Sequence, residues 1–451
     1  MSRPLRIAMI APPWTALPPD RYGGIEAVCA ALVDGLVERG HKVTLFGPGS
    51  NGTKAAFVQT YAEPQYVRLG QSMPDAVHTA AVARALSGMQ VDVVHDHTMT
   101  GLLLAPARSG PTVATMHGPL TAEIRRYLGD LTALTHGSSS LHLVAISDDQ
   151  RRRALDLPWL GRVHNAVRVS EFPYGAHKEN FALFLGRCSP EKGMDVAIDA
   201  ARAAGRHLML AAKCNEPAEK AYFDEHVRPR LGPDVTWLGE VGGQAKLDLL
   251  RRARCLLFPI QWDEPFGMVM IEALACGTPV VALSRGSVPE VVEHGVTGLI
   301  TEDAAALPRL ITDVETISPA ACRRAAAQRF DIARMAAGYE ELYHRLTVPI
   351  VPEKSGGERL AGMGEPAGRQ PVTMPENGDR LLQPAAPGVP RQRSRHWDTK
   401  SLPGPQLTPP GPLTPVKKQT AVQQLMPGPS LSPRQQLMPG RQSAAYRSNA
   451  G

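Results

Sequence analysis

From Leu5 onward, short apolar runs alternate with longer stretches that are apolar on one face only. Arg6–Ala11, Lys42–Phe46, Asp92–His95, Thr112–Met116 and Leu141–Ile146 read as strands. Between them lie helical stretches such as Gly24–Arg39, where Ala27, Val28, Ala31, Leu32 and Leu36 share a face. A second series follows at Phe181–Leu185, His207–Ala211, Val235–Leu238, Cys255–Pro259 and Pro279–Leu283, with helices at Gly193–Ala204 and Gln244–Arg254. Final helices are expected at Pro319–Arg329 and Ile332–Arg345. Nearly continuous apolar strands separated by helices imply parallel sheets covered on both faces. His164–Asn180 has weak periodicity and a proline, and reads as a linker. The expected layout is α/β: one Rossmann-like domain over 1–168, a second over 169–330, and a helix over 331–348 returning to the first. Two doubly wound halves place a ligand between them, outside the carboxyl ends of the strands.

The pattern stops after about Val348. Residues 352–451 hold 17 prolines, no Phe and no Cys, and they repeat Gln-Gln-Leu-Met-Pro-Gly at 423–428 and 435–440. Such a segment buries too little apolar surface to offset its ordering entropy, so a basic, disordered tail is expected over 349–451. The spacing Pro409–Pro412 could dock on an SH3-like partner, or the positive charge could touch anionic surfaces, but a solvated tail of little consequence is the expected reading. The charge sits here too. The chain carries +6, but the tail holds 13 Lys/Arg against 6 Asp/Glu, leaving the body near neutral. A nucleic-acid-binding body is therefore not expected. Six cysteines without a CxxC pair fit a reducing cytoplasm and argue against a zinc ribbon. No run of 18 apolar residues would span a membrane, and Ile7–Trp14 reads as a first strand, not a signal peptide.

Candidate chemistry begins with what is missing. There is no GxGxxG after the first strand and no GxxxxGK[ST] anywhere. Gly23 and Gly24 precede a helix, where a phosphate could approach the backbone, although a plain tight turn reads equally well. Phe181–Gly193 places Arg187 and Lys192 at the carboxyl end of a strand, where two cations could neutralise a diphosphate. Residues 262–282 read WDEPFGMVMIEALACGTPVVA. Glu264 falls on a loop, Gly267 marks a turn, and a helix starts near Met268 with free N–H groups for phosphate. Glu272 lies on that helix. One carboxylate could hold a ribose and the other a sugar; alternatively Glu264 serves the helix dipole and Glu272 pairs with a cation.

With these residues in place the chain resembles the retaining glycosyltransferases of family four, which have the GT-B fold of two facing Rossmann-like domains. The matching pieces are Gly23-Gly24-Ile25-Glu26, His117-Gly118, Gly186-Arg187 with Glu191-Lys192-Gly193, the Glu264 to Glu272 spacing, and 286–298. The likeness covers about 5–345. It implies that Arg187 and Lys192 hold the nucleotide diphosphate and that Glu272 holds the ribose. It implies that Glu264 contacts the donor sugar, and that the backbone at Phe266–Val269, including Gly267, Met268 and Val269, contacts sugar and phosphate. Gly24 would lie near the diphosphate. His117 would sit by the anomeric region, donating to the sugar or stabilising the transition state. Ala166 stands after Asn165 where the family often has Gly. The stretch Ala11–Ile25, with Glu264-Pro265-Phe266-Gly267 and Gly286-Ser287-Val288-Pro289-Glu290, resembles a subgroup that includes pteridine glucosyltransferases, which points to UDP-glucose.

The body lacks a DxD motif, so the cations are expected to replace a metal, and no cofactor is expected besides the nucleotide-sugar co-substrate. The acceptor would be a small molecule, a glycan or a lipid-linked molecule. His95-Asp96-His97 puts two imidazoles on one side of a strand end, but with no third ligand nearby in sequence an acceptor-pocket role is expected. Arg125-Arg126 and Arg151-Arg152-Arg153 could touch an anionic membrane peripherally, or form a solvated helix face. A sugar-nucleotide epimerase of the same fold and a non-catalytic sugar-nucleotide binder are the rival readings.

Overall fold

The computed structural model describes residues 3–19, 23–135 and 140–347. The expectations for the tail, including its SH3-like spacing, lie outside the described residues. The first half runs β1 (Arg6–Ile10), α1 (Gly24–Glu38), β2 (Lys42–Pro48), β3 (Ala56–Tyr61), α2 (Ser72–Leu86), β4 (Val93–Asp96), β5 (Thr112–Met116), α3 (Ala122–Leu134), β6 (Leu141–Ala145), α4 (Asp148–Arg152) and β7 (Trp159–Arg162). The seven strands form one sheet in the order β3-β2-β1-β4-β5-β6-β7, and every pair is parallel.

The second half runs β8 (Phe181–Arg187), α5 (Met194–Ala203), β9 (His207–Lys213), α6 (Pro217–Tyr222), β10 (Val235–Gly239), α7 (Gly243–Arg252), β11 (Cys255–Phe258), α8 (Met268–Ala275), β12 (Val280–Leu283), α9 (Val288–Val291), β13 (Gly298–Thr301), α10 (Leu307–Asp313) and α11 (Pro319–Arg329). Its six strands are also all parallel, in the order β10-β9-β8-β11-β12-β13. In each sheet the order reverses beside the first strand, at β1/β4 and β8/β11. Those reversals open the crevices where loops at the carboxyl ends can bind ligand.

Ten strands fall where the apolar runs place them. β3, β7 and β13 were not anticipated. β3 is an edge strand with no fully buried residue, so it lacks the apolar run that marks a strand. β7 and β13 are only partly buried, so they lack the continuous apolar run that marks the equally short β11 and β12.

α12 (Ile332–Thr347) leaves the second half and packs against α1. Its Ile332, Met335, Ala336, Tyr339, Leu342 and Tyr343 are buried in the same core as Val28, Leu32 and Leu36 of α1. The chain therefore crosses between the halves twice, and the crossings are bonded to each other. Val167 donates its N–H to the Phe330 carbonyl at 3.0 Å, and Ile332 donates to the Val167 carbonyl at 3.2 Å.

Five of the six cysteines are buried, and Cys214 is half-buried. Arg125, Arg126, Arg151, Arg152 and Arg153 each pair with a local aspartate: Asp156, Asp130, Asp148, Asp149 and Asp149. That pairing is what a solvated helix face requires. No helix among the described residues is long and apolar enough to cross a membrane.

Candidate active site

The second half assembles its polar residues around the N-terminus of α8. Strand β8 ends at Arg187, whose guanidinium bonds Glu191 at 3.0 Å. A 3-10 turn at Pro190–Lys192 then brings Lys192 round, and Gly193 closes it with φ 68°. A Cβ on Gly193 would collide with the Pro259 carbonyl, so the turn needs glycine to lie against the end of β11. Lys192 Nζ donates to Glu264 Oε2 at 2.5 Å and lies 5.3 Å from the centre of the Trp262 ring. Trp262 Nε1 donates to the same Glu264 oxygen at 3.0 Å. The carboxylate of Glu264, nearly buried, is thus oriented by two donors from either side.

Gly267 caps α8 with φ 77°, and Met268 and Val269 form its first turn with their amide groups unpaired within the helix. Met268 packs against the cores of both halves. Glu272, one turn on, accepts from Lys246 Nζ of α7 at 2.7 Å. Both glutamates therefore rest on a lysine, and the alternative of a cation partner for Glu272 is what the structure displays. The Glu264 loop is held from behind by the 286–298 segment. Ser287 donates its N–H to the Glu264 carbonyl at 2.9 Å and its hydroxyl to the Phe266 carbonyl at 2.9 Å.

The first half contributes the carboxyl ends of β4 and β5. The His95-Asp96-His97 run divides its three side chains among three tasks. His95 is fully buried, with Nδ1 2.6 Å from the Tyr343 hydroxyl and Nε2 2.7 Å from Thr115 Oγ1. It fastens α12 to the sheet. Asp96 accepts from Arg108 at 2.7 Å and from the Thr98 N–H and hydroxyl at 2.9 and 2.8 Å, which fixes the turn after β4. His97 reaches the site: its Nδ1 lies 2.8 Å from His117 Nε2, and its Nε2 lies 3.1 Å from Met9 Sδ. His117 follows β5 and is half-buried. Burial lowers its pKa to about 4. Burial also holds His95 and His97 well below the usual imidazole range, with neighbouring rings adding to the effect. All three are neutral at pH 7.

His95 and His97 do not form one ligand pair, because His95 is bonded to Tyr343 and Thr115. Cys29 of α1 and His117 join His97, with one donor atom from each within 4.8 Å of the others. These residues are distant in sequence, and only the packing of α1 across β1, β4 and β5 brings them together. A Cβ on Gly24, the first residue of α1, would meet no atom within 4 Å among the described residues beyond its chain neighbours.

Comparison with known proteins matches both halves in turn. Residues 22–171 match the model described as Glycosyltransferase Family 4, and residues 170–329 match Glycosyl transferases group 1. Together the two matches span residues 22–329 and support a group 1 glycosyltransferase. A curated relative, the phosphatidyl-myo-inositol mannosyltransferase of Mycolicibacterium smegmatis, is 26% identical over 348 residues, 68% of this chain and 85% of that protein. Among solved structures, AviGT4, a glycosyltransferase involved in avilamycin A biosynthesis, aligns with a TM-score of 0.58 at 28% identity, covering 77% of this chain and 99% of that one. HepE of Anabaena, solved with UDP and glucose, aligns at 0.59 with 19% identity over 76% of this chain and 100% of its own. The fold of this glycosyltransferase is GT-B.

Its two lobes also meet through Glu290 of α9. That carboxylate accepts the N–H groups of Asp148 and Asp149 at 2.7 and 2.6 Å, and His164 Nε2 lies 3.1 Å away. Burial pushes the Glu290 pKa up, but His164 and the two amides outweigh it and the net shift is downward. Arg153 pairs with Asp263 at 2.7 Å across the same boundary. In sequence, Glu290 was visible only as part of a matching stretch. Lys246 and His97 carried no signal for their partners, because each meets its carboxylate or imidazole through tertiary packing alone.

Proposed function

We propose that this glycosyltransferase moves a hexose from a nucleotide-diphosphate sugar to an acceptor hydroxyl, with retention at the anomeric carbon and without a metal ion. The observation that supports it most is the convergence of Lys192, Glu264 and Trp262 at the N-terminus of α8, with Arg187 on the adjoining strand end. Arg187, Lys192 and the amides of Gly267, Met268 and Val269 offer positive charge where a diphosphate leaving group gains negative charge. Gly24 leaves room for that diphosphate from the opposite lobe, Glu272 holds the ribose hydroxyls, and Glu264 and His117 flank the sugar. In the transfer the bond from C1 to the diphosphate oxygen breaks with its electron pair going to that oxygen. The acceptor oxygen bonds C1 on the same face, and its proton passes to the departing phosphate.

UDP-glucose is the preferred donor on the likeness of Ala11–Ile25. The mannosyltransferase relatives favour a second reading for the sugar. A lipid-bearing acceptor fits the exposed Tyr66, Val67 and Leu69 between β3 and α2, with Met73 in the first turn of α2. This segment is tied to the loop after β1 by Gln65 N–H to the Pro13 carbonyl at 2.9 Å. The test is a panel of nucleotide sugars, including UDP-glucose and GDP-mannose, read by thermal shift and by release of free nucleotide with EDTA present. The productive donor at a hundred times its Kd stabilises the fold by about 2.7 kcal/mol. Lys192→Ala and Arg187→Ala should each lower kcat by about 10²–10³, the cost of one oriented donor to a developing oxyanion. Isomerised donor without free nucleotide would indicate an epimerase, and binding without turnover a sugar-nucleotide binder. Activity abolished by EDTA and restored by Mn²⁺ would refute the metal-free chemistry.

A further inference from the structure

The hydrogen bonds around His97 determine which nitrogen of His117 carries its proton. Both rings are neutral, so each has one N–H and one lone pair. His97 touches two partners in line: Met9 Sδ at 3.1 Å from Nε2 and His117 Nε2 at 2.8 Å from Nδ1. A thioether sulfur has no proton to give and can only accept. His97 must therefore carry its proton on Nε2, which leaves a lone pair on Nδ1. For the 2.8 Å contact to be a hydrogen bond, His117 must donate to it from Nε2. The ring centroids lie 5.1 Å apart with planes 28° from parallel, so the rings meet edge to edge, as an in-plane N–H···N bond requires. The remaining nitrogen of His117, Nδ1, then holds a lone pair. It has no hydrogen-bond partner among the described residues, and His117 as a residue is half-buried.

We propose that His97 is a positioning residue that locks His117 in the Nε2–H tautomer, so that His117 presents an acceptor to a hydroxyl of the bound sugar. This rests on the reading of the cleft as a nucleotide-sugar site, and it reverses the role of donor expected from the sequence. Met9 is the outer end of the relay: its sulfur fixes His97, which fixes His117. The consequence is a site that selects for a hydroxyl pointing at His117, because an acceptor discriminates against a group with no proton to give.

The experiment is long-range proton–nitrogen NMR on the full chain labelled with ¹⁵N-histidine, together with steady-state kinetics. In the wild type His117 should show a protonated Nε2 and a bare Nδ1. His97→Asn keeps an acceptor near the old Nδ1 position and should keep that tautomer, with kcat within about threefold. His97→Leu removes it: His117 should populate both tautomers, and kcat should fall on the order of 10–10²-fold, as when an orienting partner of a reacting imidazole is lost. The KM for donor should change far less, and binding of free UDP not at all. Met9→Leu, a volume-conserving change far from the cleft mouth, should also release the single tautomer. A wild-type His117 protonated on Nδ1, or a tautomer unchanged in both His97→Leu and Met9→Leu, would overturn the proposal. If the wild type turned over no nucleotide sugar, the reading of the function would fail, while the NMR would still decide the tautomer.

Discussion

Glu264 and Glu272 each rest on a lysine, but the two lysines differ in where they sit. Lys192 stands at the mouth of the cleft beside the α8 N-terminus, whereas Lys246 approaches from α7 behind it. Replacing Glu272 should therefore remove binding shared by ground and transition states, so Glu272→Ala should mainly raise the donor KM. Lys246→Ala should move KM in the same direction and less. Glu264→Ala, at the position proposed to flank the transferred sugar and freeing Lys192, should lower kcat more than it raises KM. Steady-state kinetics on the three variants would check this, and the opposite split would reverse the two glutamates along the donor. The buried imidazoles give a second residue-scale expectation. His78 and His117 have pKa values lowered to about 4, with burial the leading cause in each. The unfolded chain then takes up protons from about pH 6.5 downward while the native state does not. Stability should fall as pH drops from about 6.5 to about 4 and go on falling below, because the buried His95 and His97 stay neutral there. Urea melts across that range would reveal it, and kcat should show no inflection near pH 6.5. A bell with an acid limb at 6.5 would mean that His117 titrates as an ordinary imidazole.

At the scale of elements, glycines decide where the site loops can go. Gly286 follows β12 with φ 58°, and a Cβ there would strike the backbone N–H and carbonyl of Glu264. Gly286→Ala should cost about 1–3 kcal/mol, through both the left-handed backbone and the displaced Glu264 loop. Urea unfolding together with the donor kcat would show the two effects moving as one; a stable variant with altered kcat would separate them. How much of this could be read beforehand follows from the same physics. The strands with continuous apolar runs were legible, and so were the helices whose apolar residues share a face. The glutamate pair was legible because its turn is local: Pro265, Gly267 and the start of α8 lie within a few residues. The edge strand β3 was not, because an exposed edge needs no apolar run. His97 was seen beside His95 and given a common role with it. Adjacent positions on one strand face carry no record of where each ring goes, and only the placement of α12 and β5 sends His95 to Tyr343 and His97 to His117.

Across the whole molecule, the lobes are joined by Glu290 on one side of the cleft. Its carboxylate takes two backbone amides of the opposite lobe, and bonds to a charged group contribute about 1.5–3 kcal/mol each. Glu290→Ala should let the lobes splay, which would appear in small-angle scattering as a larger radius of gyration and in kinetics as a raised donor KM. An unchanged radius would show that Met268 and the Arg153–Asp263 pair hold the lobes without it. The double crossing has another consequence. Because Val167 is bonded to Phe330 and Ile332, the second lobe enters and leaves the first at one spot, and in chain terms it is an insertion into a domain that α12 completes. Ends that lie together are what an interchangeable module needs. Residues 168–330 could be exchanged as a cassette between relatives with two neighbouring junctions, leaving the α1–α12 core untouched. A chimaera that keeps this chain's acceptor while taking the donor preference of its new cassette would make the architecture a means of recombining specificities.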